Sequence, residues 1–163
     1  MTTNTPDDFN ASMIRRLNDV STQLKPLLRE RDAERRAKSI SDADWSSMQI
    51  LGHLVEMVPF WLNQAQILIA EPLTIEPLKF GRSIDSPERL AGPEQGAHGD
   101  LDDLLAQWDA SIASASQVII TLTPEQRAKK GTHIRRGEMT AGDVIQFFIV
   151  DHAEEHLAQI QNT

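Results

Sequence analysis

The chain of 163 residues contains no cysteine. That absence excludes a disulfide framework, a thiolate metal ligand and a protein thiol nucleophile. Long apolar runs are missing too, and nothing approaches the roughly 18 residues that a membrane-spanning helix needs. Basic charge is in deficit: 16 lysines and arginines face 24 acidic side chains, for a formal charge of −8. A surface of that sign repels phosphate backbones, so nucleic acid is not an expected partner. The most basic-looking stretch, Arg29 to Lys38, interleaves acids and bases; Asp32 with Arg36 and Glu34 with Lys38 stand at i,i+4, which predicts a solvated helix face. Residues 1–8 carry neither a basic nor an apolar leader segment, so a cytoplasmic location is the expectation. Asn10-Ala11-Ser12 matches a glycosylation acceptor, which has no consequence without secretion. No Ser/His/Asp arrangement and no phosphate-cradling glycine loop is legible.

What the sequence does contain is helical periodicity, in a length that suits one domain over residues 1–163 with an adequate core. A first helix is predicted from about Asp8 into the Arg31 region, with Phe9, Met13, Leu17, Leu24 and Leu28 on its apolar stripe and Pro26 as a kink. Ser46 and Gln49 stand in the capping-box relation at the start of a second helix, on which Ile50, Leu54, Val58, Trp61, Ala65 and Leu68 recur; Pro59 should bend it. From Glu71 to Gly99, prolines and glycines dissolve the pattern, which predicts a long irregular loop with room for a short strand or a turn of helix. Asp100 with Asp103 caps a third helix carrying Leu104, Leu105, Trp108 and Ile112. Thr123-Pro124-Glu125-Gln126 starts a short turn ending near Gly131. Thr140 and Asp143 cap a fourth long helix reaching about Gln161. Nothing reads as a sheet, so the expected class is all-α.

The fourth helix places Ile145, Ile149, His152, His156 and Ile160 at steps of four, three, four and four, which track one face. Two imidazoles on an apolar face need partners for their nitrogens. A shared metal ion supplies one, and an ordinary hydrogen bond to each ring supplies another; spacing alone leaves both readings open. His53 lies on the flank of the second helix's stripe, where periodicity does not decide its direction. His98 and His133 fall in polar connections, where a surface or loop role is the expectation, with His133 kept as a pocket candidate because it precedes the helix carrying the pair.

Trp45-Ser46, Ile50-Leu51-Gly52-His53-Leu54, Met139-Thr140-Ala141-Gly142-Asp143 and Asp151-His152-Ala153-Glu154-Glu155-His156-Leu157-Ala158-Gln159-Ile160 together resemble the DinB-like (DNA-damage-inducible) metalloprotein superfamily. The resemblance is carried by the two ends of the chain; residues 71–130 hold none of its motifs. It implies an up-down-down-up four-helix bundle and a divalent metal ion, zinc or nickel foremost, held by His53, His152 and His156. It also implies an activity, because relatives include S-transferases and an isomerase that use low-molecular-weight thiols such as bacillithiol or mycothiol. The expected partners are then a small-molecule thiol and an electrophilic substrate.

A metal-dependent hydrolase and a non-catalytic metal- or ligand-binding module are the alternatives. Among neighbouring residues, Glu56, one turn after His53, is a candidate general base or orienting acceptor. Gln159 shares the face of the histidine pair and is a second candidate for the site. Asp151, Glu154 and Glu155 are expected to be solvated. A homodimer is also expected, with Trp61, Trp108 or the outer side of the second or third helix as its face, although both tryptophans read first as core.

Overall fold

The computed structural model describes residues 7–39, 44–70 and 76–163. In chain order the elements are α1 (Asp7–Glu30), a short α2 (Ala33–Ala37), α3 (Ser47–Ala70), β1 (Lys79–Phe80), α4 (Pro87–His98), α5 (Leu101–Ile120), a one-turn α6 (Pro124–Arg127), β2 (Lys130–His133), β3 (Gly137–Thr140), α7 (Ala141–Asp143), a π-helical stretch (Val144–Asp151) and α8 (His152–Gln161). The junctions from α7 through the π stretch to α8 keep helical backbone angles, so the three form one final helix.

The helix starts follow from the capping chemistry. The Ser46 amide donates to Gln49 Oε1 at 2.8 Å while Ser46 Oγ accepts from the Gln49 amide at 3.2 Å, and reciprocal boxes of the same kind open α6 and the final helix. Pro26 and Pro59 lie inside α1 and α3 without ending them. Both are on the solvent side, where the missing amide hydrogen bond is least costly. The Arg29 to Lys38 stretch departs from a continuous helix face: α1 ends at Glu30, and Asp32 caps α2 by accepting from the Arg35 amide. Arg36 turns back to the Leu28 and Arg31 carbonyls instead of pairing with Asp32.

α1 packs between α5 and the final helix, and α3 lies opposite it between the same two. This is the up-down-down-up four-helix bundle, closed around Leu17, Leu24, Leu28, Ile50, Leu54, Trp108, Ile119, Ile145 and Ile149, all fully buried. Each such side chain contributes on the order of 1.5–3 kcal/mol of burial free energy. Trp108 donates its indole N–H to Ser21 Oγ at 2.8 Å; being fully enclosed, it offers no face to a second copy. Asn10 is likewise buried, its amide donating to the Leu122 carbonyl at 2.8 Å.

Because α3 and α5 run parallel, the chain must return along the roughly 36 Å length of α3 before α5 can begin. That requirement explains the long connection, and the connection is not the irregular loop that its composition suggests. Residues 71–75 lie outside the described part; beyond them come β1 and the 12-residue α4. The glycines that read as loop signals are packing devices: Gly92 and Gly96 of α4 lie against Gly52 of α3, with the backbones in direct contact. The expectation of no sheet is also corrected. β2 and β3 pair antiparallel, and β1 adds in parallel through Lys79 to Thr132 and Phe80 to His133. The strands are two to four residues long, too short to show an alternating pattern in the sequence.

Candidate metal centre

α3 and the final helix bring His53, His152 and His156 together beneath this small sheet. His53 is buried and the other two are partly exposed; His53 and His152 line the floor of an open cleft, with His156 beside His152. His53 Nε2 lies 3.3 Å from His152 Nε2, which lies 2.9 Å from His156 Nε2. The candidate donor atoms of all three fall within 4.8 Å of one another. His152 is the first residue after the π-helical stretch, whose wider turn sets the angle at which α8 and its two rings meet α3.

Burial is the main cause that pushes His53 down to about 2, helped by the neighbouring His156, His152, Arg89 and Arg82. Burial likewise takes His152 down to about 4, with His156, Arg89 and Arg136 adding to it. His156 is lowered by burial, against smaller opposing effects of Gln159 and Glu155. All three rings are therefore neutral at neutral pH, the protonation state a metal ligand requires.

The residues fit a divalent ion. Gln159 Oε1 accepts from His156 Nδ1 at 2.9 Å, which leaves the Nε2 lone pair of that ring free to face its two neighbours. Ring nitrogens at the two separations around His152 repel through their lone pairs unless a proton or a cation lies between them. Nitrogens bound to one tetrahedral ion at about 2.0–2.1 Å are about 3.3 Å apart, close to the separations found here. Trp45 covers the outer side, its ring 4.9 Å from His53.

The other sequence candidates fall out differently. Gln159 touches the trio. Glu56 does not stand free as a base: both of its oxygens take hydrogen bonds from Arg82, one of them at 2.6 Å. Glu155 is exposed, with an oxygen 4.0 Å from His152 Nδ1, whereas Asp151 and Glu154 are not simply solvated but are joined by Arg16 of α1. His98 is at the surface, beside Glu94 on α4.

His133 corrects the expectation of a surface or loop role. It ends β2, is buried, and stacks on Phe148 with Trp61 alongside. Its Nδ1 accepts from the amides of both Arg135 and Arg136 at 3.1 Å, so the ring organises the turn between β2 and β3. Gly81 lies against the same ring in a left-handed conformation, φ 100°, and a Cβ there would come within 2.8 Å of the imidazole. The cleft above the histidines has a volume of about 350 Å³ and is walled by Arg82, Arg89, Arg135, Arg136, Trp61 and Phe148. None of its arginines was singled out by sequence; they lie on the connection and the hairpin, where periodicity is weakest.

Bundle and histidine trio together define a four-helix protein equipped to hold one divalent metal ion. The chain belongs to the DinB superfamily, whose sequence profile matches residues 12–160. Its fold is similar to that of YfiT from Bacillus subtilis, described as a probable metal-dependent hydrolase with an unusual four-helix bundle topology. The two share 16% sequence identity at a TM-score of 0.80, over 99% of this chain and 89% of that one. No curated protein sequence matches the chain. No helix among the described residues is long and apolar enough to cross a membrane.

Proposed function

We propose that the chain is a metal-dependent transferase that presents a small-molecule thiol to an electrophile in the cleft. The observation that carries this reading is the convergence of three neutral imidazoles from two helices, two of which, His53 and His152, line an open pocket. Three protein ligands leave a coordination position for a substrate, as catalytic sites do and closed structural sites do not. A divalent ion held there supplies a Lewis acid that favours the deprotonated form of a thiol or of water near neutral pH.

The chain's own groups hold and orient. Gln159 fixes the tautomer of His156, while Trp61 and Phe148, stacked at 4.2 Å, provide an apolar wall for the electrophile. Of the nearby carboxylates, Glu56 is engaged by Arg82 and Asp151 by Arg16, while Glu155 is exposed, 4.0 Å from His152 Nδ1. A nucleophile that needs little help from a base suits such a site, and a thiol, with a pKa of about 8.5, needs less than water. Cobalt-substituted protein should show a sulfur-to-metal absorption change on addition of a thiol, lost in the His152→Ala protein. No response to any thiol would overturn the transferase reading.

The second reading is a metal-dependent hydrolase, favoured by the likeness in fold to YfiT. Hydrolysis of activated esters that needs the metal and no thiol would select it.

A further inference from the structure

We infer that the cleft is a receptor for a small molecule carrying two or more carboxylate or phosphate groups, gripped by Arg89, Arg135 and Arg136 while it meets His53 and His152 at the floor. This deepens the metal-dependent reading above and rests on it for the fate of the bound molecule, though not for the binding itself.

In a chain of net charge −8, four arginines and no lysine line this one cleft, against only two carboxylates, Asp151 and Glu155. Asp151 is already paired with Arg16, and Arg82 with Glu56. Among the described residues, Arg89, Arg135 and Arg136 form no ion pair. Arg89 donates to the neutral Ile84 carbonyl at 2.7 Å and sits 5.6 Å above the Trp45 ring. Arg136 lies 5.0 Å over the Phe148 ring. Arg82 and Arg89 are partly buried and Arg135 and Arg136 are exposed, and like charges gathered at one cleft destabilise one another. Burial and then the proximity of Arg82 weaken the hold of Arg89 on its proton, against an opposing effect of Glu56 and with a smaller contribution from Arg135. A bound anion relieves that repulsion. A divalent ion on the histidines would add to the positive field, since Arg89 and Arg136 already act on His152.

The side chains around the cleft are held in place by the fold. Arg82 follows β1, Arg89 is on α4, and Arg135 and Arg136 form the turn between β2 and β3. These segments are far apart in sequence, and the parallel pairing of β1 with β2 is what joins them. The Arg135–Arg136 turn is fastened from inside by His133, which takes both of their amides, and Gly137 closes it at φ 82°. Glu56, itself only partly exposed, pins Arg82 with two hydrogen bonds. Guanidinium groups match carboxylate and phosphate oxygens in pairs, which lysine does not. A volume of about 350 Å³ suits a small molecule and not a polymer.

The test is calorimetric titration of the full chain, metal-free and zinc-loaded, with succinate, with inorganic phosphate and with the neutral analogue succinamide. We expect one of the anions to bind with a sub-millimolar dissociation constant, less tightly as salt is raised, and succinamide not to bind. Preference for succinate identifies a carboxylate ligand, and preference for phosphate a phosphorylated one. Arg89→Gln, and separately the double variant Arg135→Gln/Arg136→Gln, should weaken binding by about tenfold or more, with zinc content and helical signal unchanged. Arg35→Gln, on exposed α2, should leave it unaltered. The inference fails if neither anion binds at millimolar concentration, if succinamide binds equally, or if the cleft variants bind as the parent does. Should the parent take up no zinc, the metal-dependent reading falls by itself, and the titration of the metal-free chain still decides this one.

Discussion

Replacing Gly52 by alanine tests the contact that seats α4, and with it Arg89, on the bundle. Helix propensity alone makes this substitution favourable by about 1 kcal/mol, because glycine inside a helix loses more backbone entropy than alanine. Packing gives the opposite sign. A Cβ at Gly52 would lie 2.2 Å from the Gly92 carbonyl oxygen and 2.6 Å from Gly96 Cα, where ordinary contact begins at 3.4 Å. The obstructing atoms are backbone, so no side chain can swing aside and the helices must part by about 1 Å. Overpacking of that kind costs about 1–3 kcal/mol, sometimes more, and here it comes on top of the lost α3–α4 contact. Gly96→Ala faces the same obstacle, 2.1 Å from the Met48 carbonyl oxygen, whereas at Gly92 the nearest atoms are at 3.0–3.2 Å. Urea denaturation followed by circular dichroism should therefore show Gly52→Ala and Gly96→Ala destabilised by about 2 kcal/mol or more, and Gly92→Ala within about 1 kcal/mol of the parent. A Gly52→Ala protein as stable as the parent, or more stable, would refute the close helix contact.

Gln159→Leu should weaken zinc binding about 10- to 100-fold by releasing the His156 ring, with the helical signal retained; unchanged zinc affinity would show that the hydrogen bond does not orient the ligand. The metal-free protein should lose stability in mild acid. The folded-state value of His53 lies far below its ordinary 6.5, so its contribution is complete above about pH 6.5 and declines as pH falls toward about 2. At pH 5 the loss from this one residue is about 2 kcal/mol. A His53→Asn protein should lack that part of the pH dependence in denaturation midpoints measured between pH 7 and pH 5. Equal slopes for the two proteins would show that His53 titrates normally.

The four long helices were legible because capping pairs and apolar stripes repeat over many turns. Ser46 with Gln49, Thr123 with Gln126 and Thr140 with Asp143 form the hydrogen bonds that their spacing implies. The histidine pair of α8 was legible for the same reason, since a face at steps of three and four is a local property. The direction of His53 was not, and it took the resemblance of the flanking motifs to bring it to the pair. α4 escaped because Pro93, Gly92 and Gly96 oppose helix formation locally, and only the approach of α3 accounts for them. The sheet and the arginine cleft escaped because short strands carry little pattern and their pairing is decided by contacts distant in sequence, whereas His133, a pocket candidate from its place before the final helix, does line the cleft. Sequence reasoning thus found the floor of the site and missed its walls.

His53, His152 and His156 are expected to hold one divalent metal ion. Mass spectrometry of the protein, purified without a metal-binding tag and reconstituted with zinc or nickel, tests this most directly beside the His53→Ala, His152→Ala and His156→Ala variants. Near-stoichiometric metal in the parent, lost from each folded variant, is the expected result. A folded parent that retains no metal, or variants that retain as much as the parent, would contradict it.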